Sequence, residues 1–103
     1  MSKAITDVVA ERARQVAEEG WTPEHDDISP RHQLAGAATA YASHVYAMAW
    51  IFPTSPENYR SEDPPYFWPW SEESWKPKSP RQDLVRSAAL IIAEIDRLDR
   101  IEK

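Results

Sequence analysis

Apolar positions along the chain recur at helical spacing and predict an all-α fold. Residues three or four positions apart form an apolar face over about residues 3–19, and Gly20 is placed to end that first helix in the left-handed conformation. A second, longer stripe predicts a core helix over about residues 30–52. Its first half is rich in Gly and Ala, so a neighbouring helix or a partner subunit can approach it closely.

The third predicted helix covers about residues 80–101 and begins at a capping box formed by Ser79 and Gln82. Its apolar positions alternate at spacings of four and three, with further apolar residues beside them, so one neighbour cannot cover the whole face. We expect this face to be buried, and we expect the three-helix bundle to associate through it and through the slim second helix, most often as a twofold dimer. The spaced residues are Leu84, Ala88, Ile91, Ile95 and Leu98, flanked by Val85, Ile92 and Ile101.

The second and third helices are separated by a long segment rich in proline and tryptophan. Residues 53–79 hold six of the nine prolines, which break any helical period, and they include Trp68, Trp70 and Trp75. A loop of this length is usually a lid or a binding loop. An extended backbone at Pro69 would place Trp68 and Trp70 on opposite faces, one packed on the helices and the other available to a ligand. We therefore predict a single domain over residues 1–103, in which this loop is a candidate binding segment.

Composition and charge exclude several classes of protein. The chain has no Cys and a net charge of −5, which argues against disulfides, thiolate metal sites and binding to long nucleic acid. No apolar run approaches the roughly 18 residues that a membrane span needs, and no export signal is visible. These features are typical of a cytoplasmic protein with no membrane partner.

The tryptophan segment offers candidate groups for binding a nucleotide. Tryptophan rings stack on bases, and Trp75 is followed by Lys76, by Lys78 and by Arg81 in the first turn of the third helix. Cationic side chains beside a helix N-terminus bind phosphate well. The alternative is that each tryptophan packs in the core or in a lid, which is the commoner role of a single Trp.

A second candidate site lies in the acidic connector after the first helix. Asp26 and Asp27, together with Glu19, have the carboxylate oxygens that Mg²⁺ prefers, and His25 stands beside them. The alternative is that these residues form the turn and cap the next helix. Trp21 follows Gly20 and is placed to pack back on the first helix.

Several motifs resemble a family of small phage and prophage proteins of unclear function. They are EGWTPEHDD at 19–27, LAGAA at 34–38, WPW at 68–70, WKP at 75–77 and DLVRSAALIIAEIDRLDR at 83–100. The resemblance spans nearly the whole chain and implies a viral or prophage origin, with the protein in the cytoplasm of a bacterial host. It does not supply an activity. It places the following residues at motif positions: Trp21, His25, Asp26, Asp27, Trp68, Trp70, Trp75, Lys76 and Arg81.

A fainter resemblance is to the MazG-type all-α nucleotide pyrophosphohydrolases, which hold Mg²⁺ with clustered carboxylates. Glu18 and Glu19 match the start of that family's first cluster, but Thr22 stands where its third glutamate belongs. The second helix has Gln33 at the usual glutamate position. Two-metal chemistry needs several converging carboxylates, so we expect no appreciable turnover.

Three hypotheses follow. The first is a phage protein that binds a nucleotide-like ligand without turnover, sequestering a host immune signalling nucleotide such as a cyclic one. The second is a Mg²⁺-dependent pyrophosphohydrolase with Glu19, Asp26 and Asp27 as metal ligands. The third is a protein-binding module that uses the tryptophan loop. The ligand-binding residues of the first hypothesis are Trp21, His25, Trp68, Trp70, Trp75, Lys76 and Arg81.

Overall fold

The described part of the chain is all-α, which confirms the predicted fold class. In this computed structural model the described residues are 2–20, 22, 24, 32–51 and 53–101, with only the backbone of Ala49. Within them the chain forms helices and no strand. The elements in chain order are α1 (Lys3–Glu18), α2 (Gln33–Tyr46), a π-helical segment (Ala47–Ile51), α3 (Pro56–Ser61), a 3-10 turn (Glu72–Ser74) and α4 (Pro80–Ile101).

Helix α1 begins and ends at the residues that its sequence favours. The side chain of Ser2 caps it by accepting the backbone N–H of Ile5, and Gly20 beyond its end has a φ of 73°. The helix packs along α4, and Gln15 is the residue that it buries. None of the helices in the described ranges is long and apolar enough to cross a membrane.

Helix α2 is shorter than the predicted 30–52. It begins at Gln33, because His32 takes a left-handed conformation with a φ of 58° that does not continue a helix. After Tyr46 the chain widens into the π-helical segment, close before Pro53, which has no N–H to extend a helix. Residues 30, 31 and 52 lie outside the described ranges. The slim half of α2 packs within the chain, where Gly36 approaches Pro69 and α4 lies alongside.

The long segment before α4 is not free of helix, contrary to our prediction. Ser55 accepts the N–H of Asn58 and Pro56 occupies the first turn, so α3 forms there, and the 3-10 turn follows. Elements of one or two turns are too short to show a period in the sequence. The segment covers one side of the core and contributes Trp68 and Trp75 to it. From the helices the core contains Leu34, Ala37, Ala38, Tyr41, Leu90 and Ala93.

Helix α4 buries a different face from the predicted one. Leu84, Ile91 and Ile95 are 47%, 47% and 52% exposed in the single chain, so their predicted burial would require the predicted association between subunits. The buried face is largely polar because each of its polar groups finds a partner across the helix packing. Its residues are Asp83, Ser87, Ala89, Leu90, Ala93, Glu94 and Arg97.

Candidate functional site

Two of the three loop tryptophans lie in the core. Trp75 stacks on Tyr41 with ring centroids 4.9 Å apart and an interplanar angle of 19°, and Trp68 meets the same tyrosine edge-on at 5.4 Å. Both rings are only 8% exposed. Each indole N–H is also used, since Trp68 donates to Ser71 O and Trp75 to Glu62 O. A base could stack on Trp75 only by displacing Tyr41.

Trp70 is less buried than Trp68 and Trp75. Its indole N–H donates to Gln33 Oε1 at 3.3 Å, and its ring meets Trp68 edge-on at 5.3 Å. The two tryptophans therefore contact one another instead of pointing to opposite faces. The most exposed aromatic residue of the loop is Tyr66, at 99%, with Phe67 edge-on beside it.

A buried polar network fixes the end of the loop on α4. Asp83 is fully buried and accepts hydrogen bonds from the Lys78 backbone N–H, the Tyr59 hydroxyl and Arg86. Arg86 also donates to Lys76 O, and its guanidinium lies 4.2 Å from the centroid of the Tyr41 ring. Burial and the hydrogen bond to Asp83 together raise the pKa of Tyr59 well above its ordinary value.

A charged cleft of about 390 Å³ lies between α1 and the first turns of α4. Four cationic and two anionic side chains line it, and two of the cations, Arg14 and Arg86, are also paired with carboxylates outside the lining. Of the predicted ligand-binding residues that the structure describes, Arg81 alone lines the cleft. The lining residues are Asp7, Ala10, Glu11, Arg14, Lys78, Arg81, Gln82, Val85 and Arg86.

Both carboxylates of the cleft are paired with cations. Asp7 Oδ2 lies 2.9 Å from Lys3 Nζ and 2.9 Å from Arg81, and these two partners lower the pKa of Asp7. Partial burial by itself would raise the pKa of Glu11, but the hydrogen bonds from Arg14 outweigh it and the pKa is lowered. Both groups are therefore ionised near neutral pH and unsuited to act as a base there.

The predicted metal ligands are not assembled in the described residues. Arg14 binds both Glu18 and Glu19, at 3.4 and 3.0 Å, so these carboxylates serve ion pairs at the end of α1. Within the described ranges no group of three or more His, Cys, Asp or Glu side chains could hold a metal ion. The remaining predicted residues Trp21, His25, Asp26 and Asp27 lie outside those ranges. Lys76 is exposed and does not line the cleft.

The comparisons with known proteins gave no relative. No protein-family model, no curated protein and no solved structure matches this chain.

Sequence reasoning missed two of the four cationic residues of the cleft. Arg14 and Arg86 each have carboxylate neighbours at helical spacing, so the sequence favours local ion pairs for them. From the sequence, Lys78 and Arg81 are both candidate phosphate contacts beside the start of α4. Only the packing of α1 against α4 brings Arg14 to them, and the sequence contains no local signal for that contact.

Proposed function

We propose that this protein binds a small phosphorylated ligand of the nucleotide class in the charged cleft, without turnover. The observation that carries the proposal is that one cleft brings four cationic side chains together, with Lys78 and Arg81 exposed, on a chain whose net charge is −5. Cationic side chains retained together on an acidic protein favour an anionic ligand. The sequestration of a host signalling nucleotide by a phage protein is the biological role that fits such binding best.

The cleft has the groups that phosphate recognition needs. Arg81 keeps 53% of its side chain exposed and Lys78 is exposed, so both can turn toward a ligand. The cleft also lies at the first turn of the 22-residue helix α4, whose dipole favours an anion. Pro80 has no N–H, and the Gln82 N–H is bonded to Ser79 Oγ. The hydrogen bonds to a bound phosphate must therefore come mostly from the side chains of the cleft.

The size and lining of the cleft favour a nucleotide over inorganic phosphate alone. Its volume of about 390 Å³ is within the range usual for small-molecule sites. Ala10 and Val85 add apolar surface beside the cations, against which a base or ribose can pack. In this proposal Trp68 and Trp75 hold the cleft indirectly, by fixing the loop that carries Lys78.

The absence of turnover in the proposal rests on the state of the two carboxylates. Asp7 and Glu11 both have lowered pKa values and are engaged by cations. A general base works best when its pKa lies near the operating pH. Neither group meets that condition, so the cleft favours binding over hydrolysis.

The test is isothermal calorimetry with a panel of mono-, di- and cyclic nucleotides and with pyrophosphate as the minimal anion. We expect Arg81→Ala and Lys78→Ala each to weaken binding about tenfold, the loss expected for one charge-assisted hydrogen bond. Arg60→Ala is the matched control, because Arg60 is an exposed cation outside the cleft. Equal affinities in all three variants would place the ligand elsewhere, and release of phosphate from any nucleotide would overturn the absence of turnover.

A further inference from the structure

Helix α4 buries several polar residues and exposes several large apolar ones. The face turned into the chain buries Asp83, Ser87, Glu94 and Arg97 beside Leu90 and Ala93, whereas five large apolar residues of the helix are exposed. Apolar residues scattered singly on a surface need no explanation, but a contiguous apolar row marks an interaction site. The exposed residues are Leu84, Ile91, Ile92, Ile95 and Ile101, and the half-buried Ala88 and Leu98 complete the row between them.

The exposed row has the spacing of a coiled-coil seam. Its residues alternate at intervals of four and three, which keeps them in line along a helix that packs against another helix. When two such helices run in opposite directions with their midpoints near Ile91, Leu84 faces Leu98 and the small Ala88 faces the larger Ile95. The seam residues are Leu84, Ala88, Ile91, Ile95 and Leu98, with Val85 and Ile92 beside them.

The charges at the two ends of the seam indicate both the partner and its direction. Arg81 stands exposed at the beginning of the seam, and Asp96 and Asp99 stand exposed near its end. In a parallel pair like charges would face one another at each end. In an antiparallel pair the basic end of one helix meets the acidic end of the other, and the helix dipoles are also opposed.

From these observations we infer that the exposed seam of α4 binds the same seam of a second copy of the chain, in an antiparallel arrangement about a twofold axis near Ile91. Twofold association is the commonest form of oligomer, and it uses one surface patch on both subunits. The inference does not depend on the proposed ligand, because the seam and the polar network of α4 are properties of the chain alone.

The first test is the mass of the protein in solution, measured by light scattering over a dilution series. We expect twice the chain mass of 11.8 kDa for the native protein and the single mass for Ile95→Glu. Ile95 is 52% exposed in the single chain, so this variant should keep its helical circular dichroism. Ala42→Glu, on the exposed side of α2, is the matched control and should remain dimeric. A monomeric native protein, or a dimer lost in Ala42→Glu but not in Ile95→Glu, would overturn the inference.

The second test fixes the direction and does not rely on a destabilising variant. The chain has no Cys, so a single introduced Cys can carry a spin label at a known position. An antiparallel pair places labels on Ile92→Cys close together, and labels on Asp99→Cys farther apart by roughly 10–20 Å, given a rise of 1.5 Å per residue. Equal distances at the two positions would show a parallel pair and overturn the arrangement.

Discussion

The hydroxyl of Tyr59 donates a 2.5 Å hydrogen bond to Asp83, which lies 24 positions later in the chain. Tyr59 belongs to α3 and Asp83 to the first turn of α4, so this contact joins the loop segment to the helix that organises the bundle. Asp83 also accepts the Lys78 N–H, and Arg86 completes its shell. Removing one member of such a buried network leaves the other charges and donors without partners, so the fold needs all of them together.

Replacing Asp83 by Ala should destabilise the fold by about 3–5 kcal/mol, because the largely buried Arg86 loses its counter-charge and two further donors lose their acceptor. The free energy of unfolding in urea measures this. Glu73→Ala is the control, since Glu73 is an exposed acid outside the network and should change stability by less than about 0.5 kcal/mol. Similar losses in both variants would mean that the network contributes little.

Replacing Trp75 by Ala should cost about 3–5 kcal/mol through the cavity left beside Tyr41. The sequence made Trp75 a candidate for stacking on a base, and the burial of its ring makes it a core residue instead. Trp70→Ala should cost less, because Trp70 is only half-buried, and Tyr66→Ala should be neutral, because Tyr66 is 99% exposed. A thermal melt that ranks the three variants in another order would contradict the assignment of Trp75 to the core.

Acid should destabilise the protein partly through Glu94. Burial alone would raise the pKa of Glu94, but hydrogen bonds from Arg97 and His32 outweigh it, so the folded pKa lies below the usual 4.5. The unfolded chain therefore takes up the proton first as the pH falls. The contribution of Glu94 is complete above pH 4.5 and is lost as the pH falls through the folded pKa.

The variant Glu94→Gln should consequently show a smaller loss of unfolding free energy between neutral pH and pH 3 than the native chain does. Urea titrations at several pH values measure that difference. Glu73→Gln, at an exposed carboxyl in the 3-10 turn, is the control. An acid response that is the same in Glu94→Gln and in the native chain would show that Glu94 is not tuned by its partners.

Removing the carboxylate of Asp7 should strengthen ligand binding in the cleft. Asp7 holds Arg81 at 2.9 Å and competes with an anionic ligand for it, so Asp7→Asn should tighten binding several-fold and steepen its dependence on salt. Calorimetry at two ionic strengths checks both effects. Glu57→Gln removes an exposed negative charge on α3, away from the cleft, and should change neither. Weaker binding to Asp7→Asn would mean that Asp7 itself contacts the ligand.

The helix ends are the part of the fold that the sequence determines most directly. Ser79 caps α4 as predicted, because the signal is local: its hydroxyl accepts the Gln82 N–H three residues later. The buried face of α4 could not be predicted in the same way. Ser87 donates to Ala38 O, and Glu94 meets His32 across 62 positions, so polar residues become core residues only through distant partners.

The candidate site likewise combines residues that a local sequence signal predicts with residues that only tertiary packing brings there. Arg81 could be selected from the sequence because it stands in the first turn of a well-marked helix. Arg14 comes from α1, and its place in the cleft depends on how α1 lies on α4. The choice between stacking platform and core for Trp75 also needed the structure, since both roles call for the same large apolar ring.

The indole hydrogen bonds of Trp68 and Trp75 limit the motion of the loop. Each N–H is held by a carbonyl of the loop itself, and each ring lies in the core, so the segment from Glu62 to Trp75 cannot swing outward without exposing both tryptophans to water. Its indole protons should exchange with solvent as slowly as the core amides do. If the charged cleft binds a ligand as proposed, the entry and release of that ligand need no opening of the tryptophan segment, which does not line the cleft.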